Sequence, residues 1–286
     1  MEKIGFIGMG RMGAPISKRI GEKFDLASVY NRTESKIPQE MRKIAVKSIS
    51  EVMNNADIIF MILTDSDASS SVVKEIIRVG SGTKKLIVDM STISLGQSVE
   101  NHRSCSSAGI EYLDCPVIGS VPAAETGTLA ASCGGSREAF NRIVPALKTF
   151  TSRQIYAGDS GKGIGMKLVN NLIMGINMVA VSEGLCLSRE LGIGDDVFAE
   201  AVQSGGAASK ILELKAGKIQ NEDFSPQFLL AHQYKDLNYA LEEQSRLGIP
   251  SFLGSISKSI YSLEMKEHGK DDMSAVSLFY RKKKNE

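Results

Sequence analysis

The stretch Ile4-Gly5-Phe6-Ile7-Gly8-Met9-Gly10-Arg11-Met12-Gly13 decides the fold. A short apolar run, read as a strand, leads directly into glycines in the G-x-G-x-x-G spacing. At Gly8 the chain must turn tightly off the strand. Gly10 lets backbone approach a pyrophosphate, and Gly13 lets a helix pack closely on the strand. Met12, Ile16 and Ile20 then recur every four residues. Pro15 falls in a first turn, where its missing N–H is tolerated. A helix N-terminus aimed at a phosphate needs no charged side chain. The stretch therefore predicts a dinucleotide site at Gly8, Met9, Gly10, Arg11, Met12 and Gly13. The alternative is a plain glycine-rich turn between strand and helix.

A second strand, Ala27-Ser28-Val29-Tyr30, ends in Asn31-Arg32-Thr33. An acidic residue at such a strand end would bind the ribose hydroxyls of NAD. Asn31 is uncharged and Arg32 can make charge-assisted bonds to a 2′-phosphate, so the expected cofactor is NADP rather than NAD. Otherwise Arg32 is an incidental surface residue.

Further strands alternate with helices. Ile58 to Leu63 is a continuous apolar run, as a parallel strand covered on both faces requires, and Leu63 and Thr64 at its end join the expected cofactor set. Leu86-Ile87-Val88-Asp89 is another strand, with helical spacing between them near residues 68–79. The order predicts a Rossmann-type, doubly wound parallel sheet, extended by Tyr112–Asp114, Thr128–Cys133 and Gln154–Tyr156. After Gly158 no strand is expected. A long apolar helix from about Ile164 to Leu191, roughly 40 Å at ~1.5 Å per residue, opens an all-α C-terminal domain. Shorter helices follow near 195–203, 209–216, 228–247 and 251–267. The expected domains are 1–161 and 162–286.

The chain is 286 residues long, 42% hydrophobic and 23% charged, with a net charge of +1. Such a balance gives no general attraction to nucleic acid or anionic membrane. The basic tail Arg281-Lys282-Lys283-Lys284 reads as a solvated terminus. No secretory signal is expected, because the first strand begins by Lys3 or Ile4. No apolar run is expected to reach the ~18 residues that would suggest a membrane span. Cys105, Cys115, Cys133 and Cys186 have no metal-type spacing and read as reduced thiols of a cytoplasmic protein. His102, His232 and His268 are scattered, so no metal site is expected.

Several groups could do chemistry. Lys167, Asn170 and Asn171 share one face of the long helix near its N-terminus. Desolvation and the positive helix end would both lower the lysine's pKa, making it a candidate general acid. The alternative is a snorkelling lysine with two capping amides. Ser91 and Thr92, in Asp89-Met90-Ser91-Thr92, follow a strand end where ligands bind in open α/β sheets; they could equally cap the next helix. Asp114-Cys115-Pro116-Val117-Ile118-Gly119-Ser120 leads into Ala124–Thr128, a small-residue loop whose amides could receive a carboxylate or form a tight turn. Lys235-Asp236, downstream of Phe224 and Phe228, reads alone as a solvated helix face.

Taken in order, these motifs resemble those of the β-hydroxyacid dehydrogenase family, which includes 3-hydroxyisobutyrate dehydrogenases and glyoxylate/succinic semialdehyde reductases. They are Gly8-x-Gly10-x-x-Gly13-x-Pro15, Asp89-x-Ser91-Thr92, Asp114-x-Pro116-Val117-x-Gly119 with Gly127-Thr128-Leu129, Gly161-x-Gly163-x-x-x-Lys167-x-x-Asn170-Asn171, and Lys235-Asp236-Leu237. The resemblance implies that Lys167 is the proton donor and acceptor and that Asn171 positions the substrate. It implies cofactor contacts at Thr92 and Lys235, beside Asn31, Arg32 and Thr33, which NADPH-using members carry. Substrate contacts would fall at Ser91, Thr92, Ile118, Gly119, Ser120, Asn170, Phe228 and Asp236. One departure stands out: Ile118 replaces the serine that follows Pro-Val in many members. The implied activity is NADP-dependent hydride transfer between a small β- or γ-hydroxy acid and its semialdehyde or keto form, in a homodimer or homotetramer. Alternatives are 3-hydroxyisobutyrate oxidation with NAD or NADP, and a non-catalytic dinucleotide-binding scaffold.

Overall fold

The computed structural model describes residues 2–281; Lys282, Lys283 and Lys284 of the basic tail lie outside them. The chain divides into two compact units, Met1–Lys167 and Leu168–Glu286. The division falls inside the long helix rather than at its start.

In the first unit, β1 (Ile4–Ile7), α1 (Gly13–Gly21), β2 (Leu26–Tyr30), α2 (Ile49–Asn55), β3 (Ile58–Met61), α3 (Ser66–Gly80), β4 (Leu86–Asp89), α4 (Leu95–Ser107) and β5 (Glu111–Asp114) alternate, with 3₁₀ turns at Glu34–Lys36 and Gln39–Ile44. Five strands run parallel in the order β2-β1-β3-β4-β5. The order reverses between β1 and β3, so the crevice at their C-terminal ends is a topological switch point, where such sheets bind ligands. The central strands are buried on both faces: Phe6, Ile59, Phe60 and Ile87 are fully buried. This explains their unbroken apolar sequences.

The sheet continues through β6 (Val117–Ile118), α5 (Val121–Thr126), β7 (Leu129–Gly134), α6 (Arg137–Leu147) and β8 (Thr151–Gly158). β7 lies antiparallel to β5 and β6 and parallel to β8. The expected loop at 124–128 is largely helix α5 and its end. The Ala124 N–H bonds the Ser120 carbonyl and the Thr128 N–H that of Ala123. These two amides are therefore spent on the turn rather than offered to a carboxylate. Gly127, at φ +74°, ends the helix beneath the Arg19 guanidinium. Arg19, on α1, bonds the carbonyls of Glu125 and Thr149, each at 2.8 Å, and thus ties α1 to α5 and to the turn before β8.

α7 (Lys162–Glu190) leads into α8 (Asp195–Gln203), α9 (Lys210–Gln220), α10 (Leu230–Arg246), α11 (Phe252–His268) and a 3₁₀ helix at Met273–Tyr280. The second unit is helical, with one isolated bridge between Leu229 and Asp272. Its core gathers Met178, Leu185, Leu212, Leu230, Leu237, Tyr261, Met273 and Val276. By length and composition α7 is apolar enough to cross a membrane, with a mean hydropathy of 1.4 over its best window. This corrects the expectation of no such segment. Lys167, Asn170 and Asn171 interrupt the apolar run, so the helix passes on its average and not as an unbroken stretch. Met178, Val179, Val181 and Leu185 of this helix are spent on the core.

A buried ion pair fixes the approach to α10. Lys215 Nζ lies 2.8 Å from Asp272 Oδ1, and both residues are buried. Asp272 also accepts the N–H groups of Gln227, Phe228 and Ser274. Phe228 therefore has a fixed backbone, with its ring edge-on to His232 at 6.0 Å between centroids.

Candidate active site

The glycine loop is built as its spacing requires. Gly8 has φ +98°, and a Cβ there would stand 2.2 Å from the Ile62 carbonyl oxygen. A Cβ on Gly13 would stand 1.9 Å from the Gly8 oxygen, so α1 rests directly on the turn. A Cβ on Gly10 would meet nothing within 4 Å; its open side faces away from the protein. α1 starts with no side-chain cap and no acidic residue in its first turn. Close backbone, an open glycine and an uncapped helix start fit a dinucleotide pyrophosphate.

The Asn31 amide is held on both sides. Its Oδ1 accepts the Met9 N–H at 2.9 Å and its Nδ2 donates to the Thr33 carbonyl at 2.7 Å. The amide ties the glycine loop to the end of β2. Arg32 and Thr33 are exposed beside it. Leu63 donates its N–H to Ser91 Oγ at 2.8 Å, joining the ends of β3 and β4, while Thr64 is exposed. The buried Ser91 hydroxyl is thus engaged in the framework. Neither Ser91 nor Thr92 caps α4; Ser94 does, accepting the Gln97 N–H.

Asp89 supports this region from below. It accepts the Ser69 and Tyr112 hydroxyls at 2.7 and 2.9 Å and the Ser91 N–H at 2.9 Å. Burial pushes its carboxyl above the ordinary range, and the bonds from Ser91, Ser69 and Tyr112 pull the other way. Ile118 is half-buried in β6, opposite Ala130. Gly119 is exposed at φ +129°, where a Cβ would stand 2.6 Å from Leu129. Ser120 precedes α5 without a capping bond from its side chain.

Lys167 closes the first unit, only 6% exposed. On the same uninterrupted helix, Asn170 and Asn171 open the second. Asn171 is fully buried; its Nδ2 donates to Asp236 Oδ2 at 2.6 Å, and its Oδ1 accepts from Asn170 at 2.9 Å. The other Asp236 oxygen takes the Lys235 ammonium at 2.7 Å, which also stands 4.7 Å above the Tyr239 ring. Lys235-Asp236 is no solvated pair: Asp236 is 1% exposed because both its oxygens have partners. A carboxylate only accepts, so Asp236 dictates which way the Asn171 amide faces.

Sequence reasoning missed Gln233. It is fully buried, donates to the Asn171 carbonyl at 2.8 Å, and lies against Gly175, where a Cβ would stand 2.4 Å from its Nε2. Its position three residues before Asp236, on one face of α10, was the available signal. Among the described residues no three His, Cys, Asp or Glu side chains gather as a metal site.

Comparison with known proteins agrees with this geometry. A family model described as the NAD binding domain of 6-phosphogluconate dehydrogenase matches residues 3–158. Another, described as the NAD-binding region of NADP-dependent 3-hydroxyisobutyrate dehydrogenase, matches residues 161–280. The 2-(hydroxymethyl)glutarate dehydrogenase of Eubacterium barkeri is 31% identical, the match covering 96% of this chain and 93% of that protein. The chloroplastic glyoxylate/succinic semialdehyde reductase 2 of Arabidopsis thaliana is 30% identical, covering 96% and 78% respectively. A structure of Mycobacterium tuberculosis 3-hydroxyisobutyrate dehydrogenase with L-serine superposes with a TM-score of 0.91 at 25% identity, covering 98% of this chain and 99% of that one. The chain belongs to the β-hydroxyacid dehydrogenase family, oxidoreductases with NAD(P)-binding domains that act on the CH–OH group of small hydroxy acids.

Proposed function

We propose that this protein is an NADP-dependent oxidoreductase that interconverts a small β- or γ-hydroxy acid and its semialdehyde or keto form, with Lys167 as general acid and base. The observation that carries this reading is Lys167 itself: a buried amine near the start of a helix, one turn before an asparagine held by a buried carboxylate. The bound cofactor supplies or accepts the hydride. In reduction, Lys167 Nζ gives its proton to the carbonyl oxygen as negative charge develops there; in oxidation it takes the hydroxyl proton. The second Nδ2–H of Asn171, left over from its bond to Asp236, donates to the same oxygen. Lys235 would help hold the cofactor, and Thr92, Gly119 and Ser120 would receive the substrate carboxylate, with Ile118 supplying an apolar wall.

NADP is favoured because β2 ends without a carboxylate, the Asn31 amide is already committed, and Arg32 is exposed beside it. Arg32→Ala should raise KM for NADPH roughly ten- to a hundredfold, the worth of one charge-assisted contact, and leave NADH nearly unchanged. Equal shifts for both cofactors would remove Arg32 as the reader. A panel of semialdehydes and hydroxy acids, assayed with both cofactors, tests the activity; no turnover with any would sink the proposal.

The working form we infer is at least a homodimer, joined through the second unit. Val169, Ile173 and Leu187 are exposed along α7 with Leu191 just past its end, and Phe252, 79% exposed, is joined by Leu253, Ile256 and Leu263 on α11. Apolar stripes of this size mark association surfaces, and a second copy of the same helices can cover them symmetrically. Light scattering at micromolar concentration should give at least twice the 30.9 kDa chain mass. A monomer mass would count against the dimer.

A further inference from the structure

We propose that Asp114 is the positioning residue for Lys167: from the end of β5 its carboxylate fastens the first turn of α7 to the sheet, and so sets where the lysine's amine stands. The inference rests on Lys167 being the proton donor and acceptor.

An α-helix begins with N–H groups that have no partner within it. At five of the other described helices the residue just before the helix fills that need. Ser48, Asp65, Ser94, Ser136 and Ser209 each accept an N–H from the helix that follows. At α7 the local candidate is Ser160, yet its buried hydroxyl has no partner. The cap comes instead from far back in the sequence. Asp114 Oδ1 accepts the Gly161 N–H and Oδ2 the Ile164 N–H, both at 2.8 Å.

The junction is also closed sterically. A Cβ on Gly163 would stand 2.4 Å from the Asp114 carbonyl oxygen and 2.6 Å from Gly134 N and Ser132 O. A Cβ on Gly134 would stand 2.8 Å from both carboxylate oxygens. Backbone meets backbone with a single carboxylate between them, so the helix start has one seat. Lys167 lies three residues beyond Ile164 and four beyond Gly163, on the face these anchored residues share. It sits about 4.5–6 Å further along the axis.

A carboxylate is a costly way to make this joint. Asp114 is 2% exposed, and burial pushes its carboxyl up to about 6 although Gly161 and Ile164 both donate to it. A folded-state value raised above the ordinary one means that ionising Asp114 costs stability as pH rises through about 6. Geometry, not net stability, is what the charge supplies: two acceptor oxygens in one plane, spanning the first turn of the helix.

Asp114→Asn tests this with little change in shape. The amide keeps one acceptor but turns an NH₂ toward one of the helix N–H groups, so the first turn must shift. A 1 Å misplacement can cost up to ~10²-fold, and we expect kcat to fall about tenfold or more. KM for the hydroxy acid and the Kd of NADPH should change less than about twofold, with the thermal midpoint within a few degrees of the parent. The deuterium isotope effect with 4-deuterated NADPH should rise as the chemical step becomes limiting. Unchanged kcat in a folded Asp114→Asn protein would overturn the proposal. So would a joint fall of kcat, cofactor affinity and midpoint, which is general damage. If Lys167→Ala retained turnover, the reading of Lys167 would fail instead. Should Asp114→Asn not fold, Asp114→Ser, with one short acceptor, takes its place. Hydrogen exchange on the parent protein reads the cap directly: the Ile164 amide should be strongly protected, and rapid exchange there would overturn the assignment.

Discussion

Lys167→Ala is expected to lower kcat by at least ~10²-fold, the lower range for removing a general acid, while the affinity for NADPH stays near the parent value. The proposed mechanism combines two roles in this amine, charge stabilisation of the developing alkoxide and proton transfer to it, and Lys167→Arg separates them. Arginine restores the positive charge but does not release a proton near neutral pH. If proton transfer dominates, the arginine variant stays almost as slow as the alanine variant. Cofactor titration by fluorescence is the control, because the role proposed for Lys167 is at the substrate oxygen and not at the dinucleotide. Turnover within a few fold of the parent in Lys167→Ala would refute the mechanism.

What the sequence discloses and what it hides follow from the range of the interactions. The glycine loop is local: Gly8 and Gly13 are dictated by atoms within one strand, one turn and one helix, and their spacing alone predicts the contacts found. The parallel strands are legible because burial on both faces leaves an unbroken apolar run. The roles of Asn31 and Ser91 are not legible. Each sits at a strand end where ligands bind, but Asn31 is committed to Met9 N–H and Ser91 to Leu63 N–H, partners 22 and 28 residues away. Asp236 looked like part of a solvated face because its partner Asn171 is 65 residues distant. Asp114 was visible as part of a motif, but its capping of α7 depends on a contact across 47 residues. α5 was read as a loop because its small residues have little periodicity over so short a span. Sequence patterns therefore mark candidate residues, whereas the commitment of Asn31 and Ser91 to framework bonds required the fold.

The buried pair of the second unit gives the largest expected loss of stability. Lys215→Met should lower the unfolding free energy by about 3–5 kcal/mol, the usual cost of leaving one member of a buried ion pair alone. Methionine fills much of the space, so the loss comes from charge rather than from a cavity. The two partners do not titrate as a simple pair. Burial pulls the Lys215 ammonium below its ordinary value despite Asp272 beside it. Burial pushes Asp272 up, but Lys215 and the Phe228 and Gln227 N–H groups hold it below the usual range overall. A depressed carboxylate contributes stability above its unfolded value of about 3.9, lost only as pH falls through the lower folded value. Without Lys215 the burial effect wins and the Asp272 carboxyl rises. The deficit of Lys215→Met against the parent should then shrink as the medium is acidified and Asp272 takes up a proton. Denaturant unfolding at neutral pH and near pH 5 measures both parts. A deficit under about 1 kcal/mol at neutral pH would place the pair among solvated surface bridges, and a deficit that grows in acid would reverse the assigned sign. The same variant loosens Gln227 and Phe228, whose N–H groups share the Asp272 oxygen, so KM for the substrate should rise with the lost stability even though Lys215 touches no substrate.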